Sequence, residues 1–231
     1  MMLRLENISF QYPRAATPVL KGVTFALNGD GFHAIFGPSG VGKTSLARIL
    51  SRELSGFSGT FHVEDNRAIL YSYNQERLPG WATIGHFINT TTPEAMTGLK
   101  NDLIDIFGLK ECLNLKFSQL SLGQKNRANL IRYLLQRFDL LIMDESLANV
   151  DERLRETIIL TIKNRFPNRS FLYISHNLME IVRFSDSILV FRDMNKTPQA
   201  VSMKGMNLFF PTMPCDQKPL ETALLEIMNA C

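Results

Sequence analysis

Phe36-Gly37-Pro38-Ser39-Gly40-Val41-Gly42-Lys43-Thr44 decides how this chain is read. It follows an apolar run, residues 32–36, and opens into a helical pattern over 45–54. A buried strand, a glycine-rich turn and a helix N-terminus together form a cradle for phosphate. Gly37, Gly40 and Gly42 allow a tight turn that aims successive N–H groups at anionic oxygens. Lys43 adds a point charge within reach of β and γ phosphates. The Thr44 hydroxyl suits one coordination position of a magnesium ion, which prefers oxygen ligands. Pro38, Ser39, Val41 and Ser45 complete the cradle. The plainer alternative is a loop that merely joins a strand to a helix. The spacing GxxGxGKT in this setting is a specific signal, and it predicts a nucleoside triphosphate site.

At 231 residues the chain is long enough for one substantial core with a small inserted subdomain. A hydrophobic fraction of 45% and a charged fraction of 20% are those of a soluble globular protein. No apolar run approaches the roughly 20 residues needed to span a bilayer. Residues 1–7 lack the charged-then-apolar order of a signal peptide, so a cytoplasmic location is expected. The net charge of +3 is small and the basic residues are dispersed, which argues against nucleic acid as a partner. Cys112, Cys215 and Cys231 are odd in number and show no CxxC spacing. They read as reduced thiols rather than a disulfide frame or a zinc site.

Strand patterns occupy 3–12, 19–27, 60–63, 68–73, 139–143, 170–175, 187–191 and 199–203. Helical spacing marks 99–107, 110–117, 120–137, 151–166, 178–183 and 219–228, with Ser121 as the cap of the third of these. Thr92 reads as a helix cap with Pro93 at the first helical position. Alternation of strands and helices implies a mostly parallel sheet covered by helices. One domain is expected over 1–231, with a core from 1–74 and 118–231 and a helical insertion at 75–117.

Further pieces fall in the order seen in ATP-binding subunits of ABC transporters, and the chain resembles that family over about residues 3–192. Asp139-Leu140-Leu141-Ile142-Met143-Asp144-Glu145 resembles the Walker B strand. Leu120-Ser121-Leu122-Gly123-Gln124 resembles the signature motif, with Leu122 in place of a usual glycine. Gln75 matches the Q-loop glutamine, His176 the switch histidine, Ala148-Asn149-Val150-Asp151 the D-loop, and Tyr12 the aromatic that stacks on adenine. Ser146 stands where proline commonly follows the catalytic glutamate. Each has a plainer reading: acids after a buried strand, a helix-capping serine, a solvated glutamine, a structural histidine, a capping aspartate, a strand-end tyrosine.

The resemblance implies an α/β fold: a P-loop NTPase core, an antiparallel N-terminal β subdomain and a small inserted helical subdomain. It implies ATP and Mg2+ as cofactors. Glu145, His176 and Gln75 would serve catalysis, and Thr44, Gln75 and Asp144 the metal. Tyr12 and residues 37–45 would hold the nucleotide, while Ser121, Gly123, Gln124 and Asp151 would meet it across a dimer interface. The partners implied are a second copy or a related ATPase subunit, and transmembrane permease subunits at the cytoplasmic face of the membrane. Leu78-Pro79-Gly80-Trp81-Ala82-Thr83 resembles a stretch of nitrate, sulfonate and taurine importers. Three alternatives stand beside this reading: a soluble ABC ATPase acting on DNA or ribosomes, a P-loop kinase, and a degenerate regulatory subunit.

Overall fold

Short strands that are apolar on both faces need cover on both sides. The computed structural model describes residues 3–64, 67–193, 195–210 and 217–230. A small antiparallel sheet places β1 (Leu3–Phe10) between β2 (Leu20–Leu27) and β4 (Ser58–Val63). A six-stranded sheet runs in the order β5 (Ile69–Tyr73), β6 (Leu140–Asp144), β7 (Ser170–Ile174), β3 (Gly31–Phe36), β8 (Ser187–Phe191) and β9 (Ala200–Lys204). Its strands are parallel except β9, which pairs antiparallel with β8. The fold is therefore the α/β class expected, with a mostly parallel main sheet and an antiparallel second one.

The two-residue period divides the main sheet between two cores. Phe32, Ala34, Leu141, Met143, Phe171 and Tyr173 face one cluster, shared with helices α4 (Leu122–Leu134), α5 (Glu152–Arg165) and α6 (Leu178–Phe184). Ile35, Leu140, Ile142, Leu172 and Ile174 face the other, shared with α1 (Lys43–Leu50) and the small sheet. Parallel register sets Tyr73 beside Asp144, Asp144 beside Ile174 and Ile174 beside Ile35. The loops after β3, β6 and β7 thus leave the sheet at one level, the carboxyl edge where such folds bind ligands.

Helix boundaries differ from those the periodicity predicts, for identifiable reasons. α1 begins at Lys43 and stops at Leu50, not at 54. Arg52 turns left-handed (φ 63°), and the Glu53 and Arg52 amides bond back to Arg48 and Ile49 at 2.9 and 3.0 Å. That is a Schellman ending. α3 (Thr97–Ile106) ends the same way at Gly108 (φ 63°). Residues 110–117 form no α-helix, only short 3-10 turns at either end. The carbonyls of Leu113 and Leu115 instead accept from Gly85 and Ile84 at 2.8 and 3.1 Å, satisfying the start of α2 (Ile84–Thr91). Thr83 caps that helix, which the sequence pattern did not reveal. Thr92 is not an N-cap; its hydroxyl donates to Ile88 O at 2.6 Å and closes α2.

The last helix, α7 (Gln217–Ala230), is longer than predicted. Cys112 is buried and reduced, while Cys215 and Cys231 lie outside the described residues. Among the described residues no helix is long and apolar enough to cross a membrane.

Candidate functional site

The phosphate loop bends through three left-handed glycines, Gly37 (φ 148°), Gly40 (82°) and Gly42 (107°). Two of them also lack room for a side chain. A Cβ on Gly37 would lie 2.6 Å from Phe191 O, and one on Gly42 2.6 Å from Leu20 Cδ2. The loop is thereby pressed onto the strands beneath it. Val41 is buried in the core shared with α1, and its carbonyl accepts from Gln199 Nε2 at 3.2 Å. Lys43, 7% exposed, donates from Nζ to Gly37 O and Pro38 O at 2.8 and 2.7 Å. Its charge is thus held across the mouth of the loop.

A cavity of about 350 Å³ opens there. The loop contributes Ser39, Gly40, Gly42, Lys43, Thr44 and Ser45 to its walls. Asp144, Glu145 and His176 arrive from the ends of β6 and β7, and Tyr12 and Val19 close the remaining side. The Thr44 hydroxyl donates to Asp144 Oδ2 at 2.8 Å, an all-oxygen pair of the kind a magnesium ion takes. Burial pushes the Asp144 carboxyl above its ordinary pKa, and the hydrogen bonds from Thr44 and Tyr71 oppose that shift. His176 Nε2 lies 2.8 Å from Glu145 Oε1. Glu145 itself sits left-handed (φ 51°), a conformation that costs a non-glycine residue energy and here aims its side chain into the cavity. Tyr12 stands edge-on to Phe10, and its hydroxyl lies 3.0 Å from Ser45 Oγ, which fixes the ring at the cavity mouth.

The remaining predicted residues lie elsewhere on this chain. Gln75 (φ 63°) is exposed and lines a separate cavity with Glu76, Leu78, Leu122 and Lys125. Leu122 therefore faces the same cavity as Gln75. Ser121 caps α4 in a capping box: its amide donates to Gln124 Oε1 at 2.9 Å, and its Oγ accepts from the Gln124 amide at 3.2 Å. Gly123 is held against the D-loop, where an added Cβ would lie 2.2 Å from Asn149 O. Asp151 caps α5, accepting from the Leu154 amide at 2.9 Å. Ser146 donates to Ser72 O at 2.9 Å and lies 3.0 Å from Ser72 Oγ, a tie to β5 that proline could not make.

Several residues at the site were not singled out from sequence. Tyr71 reaches Asp144, and Asn126 Nδ2 bridges Asn74 Oδ1 (2.9 Å) and Ala148 O (3.3 Å). Glu76 accepts from Asn129, Arg132 and Tyr133 on α4. Asn126, Asn129 and Tyr133 fall with Arg132 in a polar stripe at helical spacing, which is the signal that could have found those three.

Comparison with known proteins gives the family. A family model described as ABC transporter matches residues 20–148. The molybdenum import ATP-binding protein ModC of Saccharophagus degradans is 34% identical over 76% of this chain and 54% of its own length. The spermidine/putrescine import ATP-binding protein PotA of Mycoplasma capricolum is 29% identical over 82% of this chain and 58% of its own. The chain thus spans little more than half the length of these relatives. A bacterial Atm1-family ABC exporter with ATP bound superposes with a TM-score of 0.72 at 24% identity, over 81% of this chain and 36% of that one, a likeness of fold. The matched family model takes in the phosphate loop, the signature motif and the Asp144–Glu145 pair together, and the chain belongs to the ABC transporter family.

Proposed function

We propose that this chain binds and hydrolyses ATP as the nucleotide-binding subunit of an ABC importer. The observation that carries the reading is convergence: the phosphate loop, the Thr44–Asp144 pair and the Glu145–His176 pair share one cavity. Glycine-loop amides and Lys43 bind the triphosphate. Glu145 takes a proton from the attacking water, and His176 holds Glu145 and reaches the γ-phosphate. Thr44 and Asp144 would hold Mg2+, which when bound would neutralise charge on the phosphates. Tyr12 offers its ring to adenine.

The second half of the site comes from another copy or a related ATPase subunit. Ser121, Gly123 and Gln124 form the start of α4, where Ser121 is exposed, and none of the three lines this chain's own phosphate cavity; they suit a triphosphate held by the facing chain. Asp151 lies beside that interface. Gln75 links the site to permease subunits at the cytoplasmic face of the membrane, with 75–117 as the inserted helical unit. Trp81 is 80% exposed and offers an apolar surface that such a partner would cover. Import follows the names of ModC, PotA and the arabinose import protein AraG of Paraburkholderia xenovorans. Their cargoes differ from one another, and cargo is not part of the proposal.

Glu145→Gln tests the reading. Nucleotide binding should persist, turnover should fall by at least ~100-fold for loss of a general base, and an ATP-bound dimer should outlive that of the unaltered protein in gel filtration. Normal hydrolysis by this variant would remove Glu145 from catalysis.

A further inference from the structure

Asp144 is gripped from two sides, and only one of them belongs to the phosphate loop. Thr44 Oγ1 donates to Oδ2 at 2.8 Å, and the Tyr71 hydroxyl donates to the same oxygen at 3.0 Å. Tyr71 comes from β5, is 8% exposed, and has its ring stacked on Tyr73 at 5.3 Å. Register pairs Tyr71 with Ile142, so the phenol reaches forward along the neighbouring strand to the carboxylate at its end.

The division of labour between the two hydroxyls is unequal. A carboxylate torsion is broad and roughly two-fold, so one donor alone leaves Asp144 free to swing. A hydroxyl has a single hydrogen to give. Thr44 sits in the phosphate loop, where its lone pairs would serve a bound metal, and its grip on Asp144 therefore depends on what the loop holds. Tyr71 lies outside the loop on a strand and is braced by ring stacking, so its grip does not. Two donors converging on Oδ2 fix the carboxylate plane before any ligand arrives, an ordering cost that binding then avoids.

Resting on the proposed ATPase reading, we propose that Tyr71 is a positioning residue for the metal site. It holds the Asp144 carboxylate in the orientation shared with Thr44, and so sets how tightly the site takes magnesium.

The test uses Tyr71→Phe, which keeps the ring and removes only the hydroxyl. A fluorescent ATP analogue is titrated at a series of Mg2+ concentrations and again in chelator. The half-saturating Mg2+ concentration should rise about tenfold, equivalent to about 1.4 kcal/mol, while nucleotide affinity in chelator stays unchanged. Tyr71→Leu should shift the metal dependence by the same factor and also lower the melting temperature of the metal-free protein, because the ring is lost too. An unchanged Mg2+ requirement in both variants, with or without a change in melting, would overturn the proposal and reduce Tyr71 to packing. If the unaltered protein itself bound nucleotide with no Mg2+ dependence, the metal assignment to Thr44 and Asp144 would fall, and Tyr71 with it. A dependence present in the unaltered protein but insensitive to Tyr71 overturns only the Tyr71 role.

Discussion

Glu76 directly follows the glutamine proposed to link the site to its partners, and replacing it by alanine should cost the fold heavily. Its carboxylate accepts from Asn129 Nδ2 at 2.7 Å, Arg132 at 2.6 Å and the Tyr133 hydroxyl at 2.9 Å. The Glu76 and Arg132 side chains are 14% and 20% exposed, so solvent cannot replace the lost partner fully. Breaking a buried pair costs about 3–5 kcal/mol, and the residual exposure here places the value near the lower bound, about 3 kcal/mol. For a chain of this size that is a fall of about 6–12 °C in melting temperature. Glu76→Gln keeps the shape and some of the hydrogen bonds and should cost about half as much.

The assay is urea unfolding of the two variants and of Arg132→Met, alone and combined with Glu76→Ala. The midpoint should move at constant slope, with a coupling of at least about 1 kcal/mol in the cycle. A loss below about 1 kcal/mol for Glu76→Ala, the range of an exposed ion pair, would refute the clamp.

Gly123→Ala should destabilise by about 1–3 kcal/mol, because the new Cβ meets backbone at Asn149 O that can move only with the D-loop. Gly98→Ala is the control: nothing lies within 4 Å of its Cβ, and a gain of up to about 1 kcal/mol in the same thermal scan is expected. Equal losses at both positions would show that the close approach at Gly123 is not the cause. Lys163 predicts a pH effect. Burial lowers its pKa from 10.5 to about 8, although its ammonium donates to Phe184 O, Asn207 Oδ1 and Leu208 O. Between those two values the unfolded chain holds more protons, so stability should rise with pH across the window. Below it, stability should be lower by up to about 3 kcal/mol. Lys163→Met should flatten that rise in urea midpoints, whereas parallel curves for the two proteins would contradict it.

The sequence reads best where function is written in contiguous residues. The phosphate loop and the strand ending at Asp144 were legible because each motif is local and its strand is apolar on both faces. The register that brings Asp144 level with Ile174 is set by strand pairing between segments far apart in sequence, and no local pattern carries it. Residues 110–117 misled because their apolar spacing suits a helix, while their carbonyls are claimed by the start of α2. The cavity that Leu122 shares with Gln75 was equally hidden, because the two residues lie far apart in sequence and meet only through the fold. Tyr71 looked like any strand tyrosine, since a hydroxyl's partner two residues farther along a neighbouring strand leaves no periodic trace.

The polar contacts around β5 also bear on how this chain tolerates recombination with its relatives. Tyr71 bonds Asp144, Ser72 bonds Ser146, Asn74 meets Asn126, and Glu76 meets Asn129, Arg132 and Tyr133. Every one of these pairs joins residues 71–76 to residues 126–146. A chimera with a junction anywhere between the two blocks would mate each donor with a foreign acceptor, and several of these groups are buried. Junctions placed before β5 or after the D-loop leave the circuit whole. Within it, exchange of single residues should succeed only in matched pairs, and the segment behaves in inheritance as one allele.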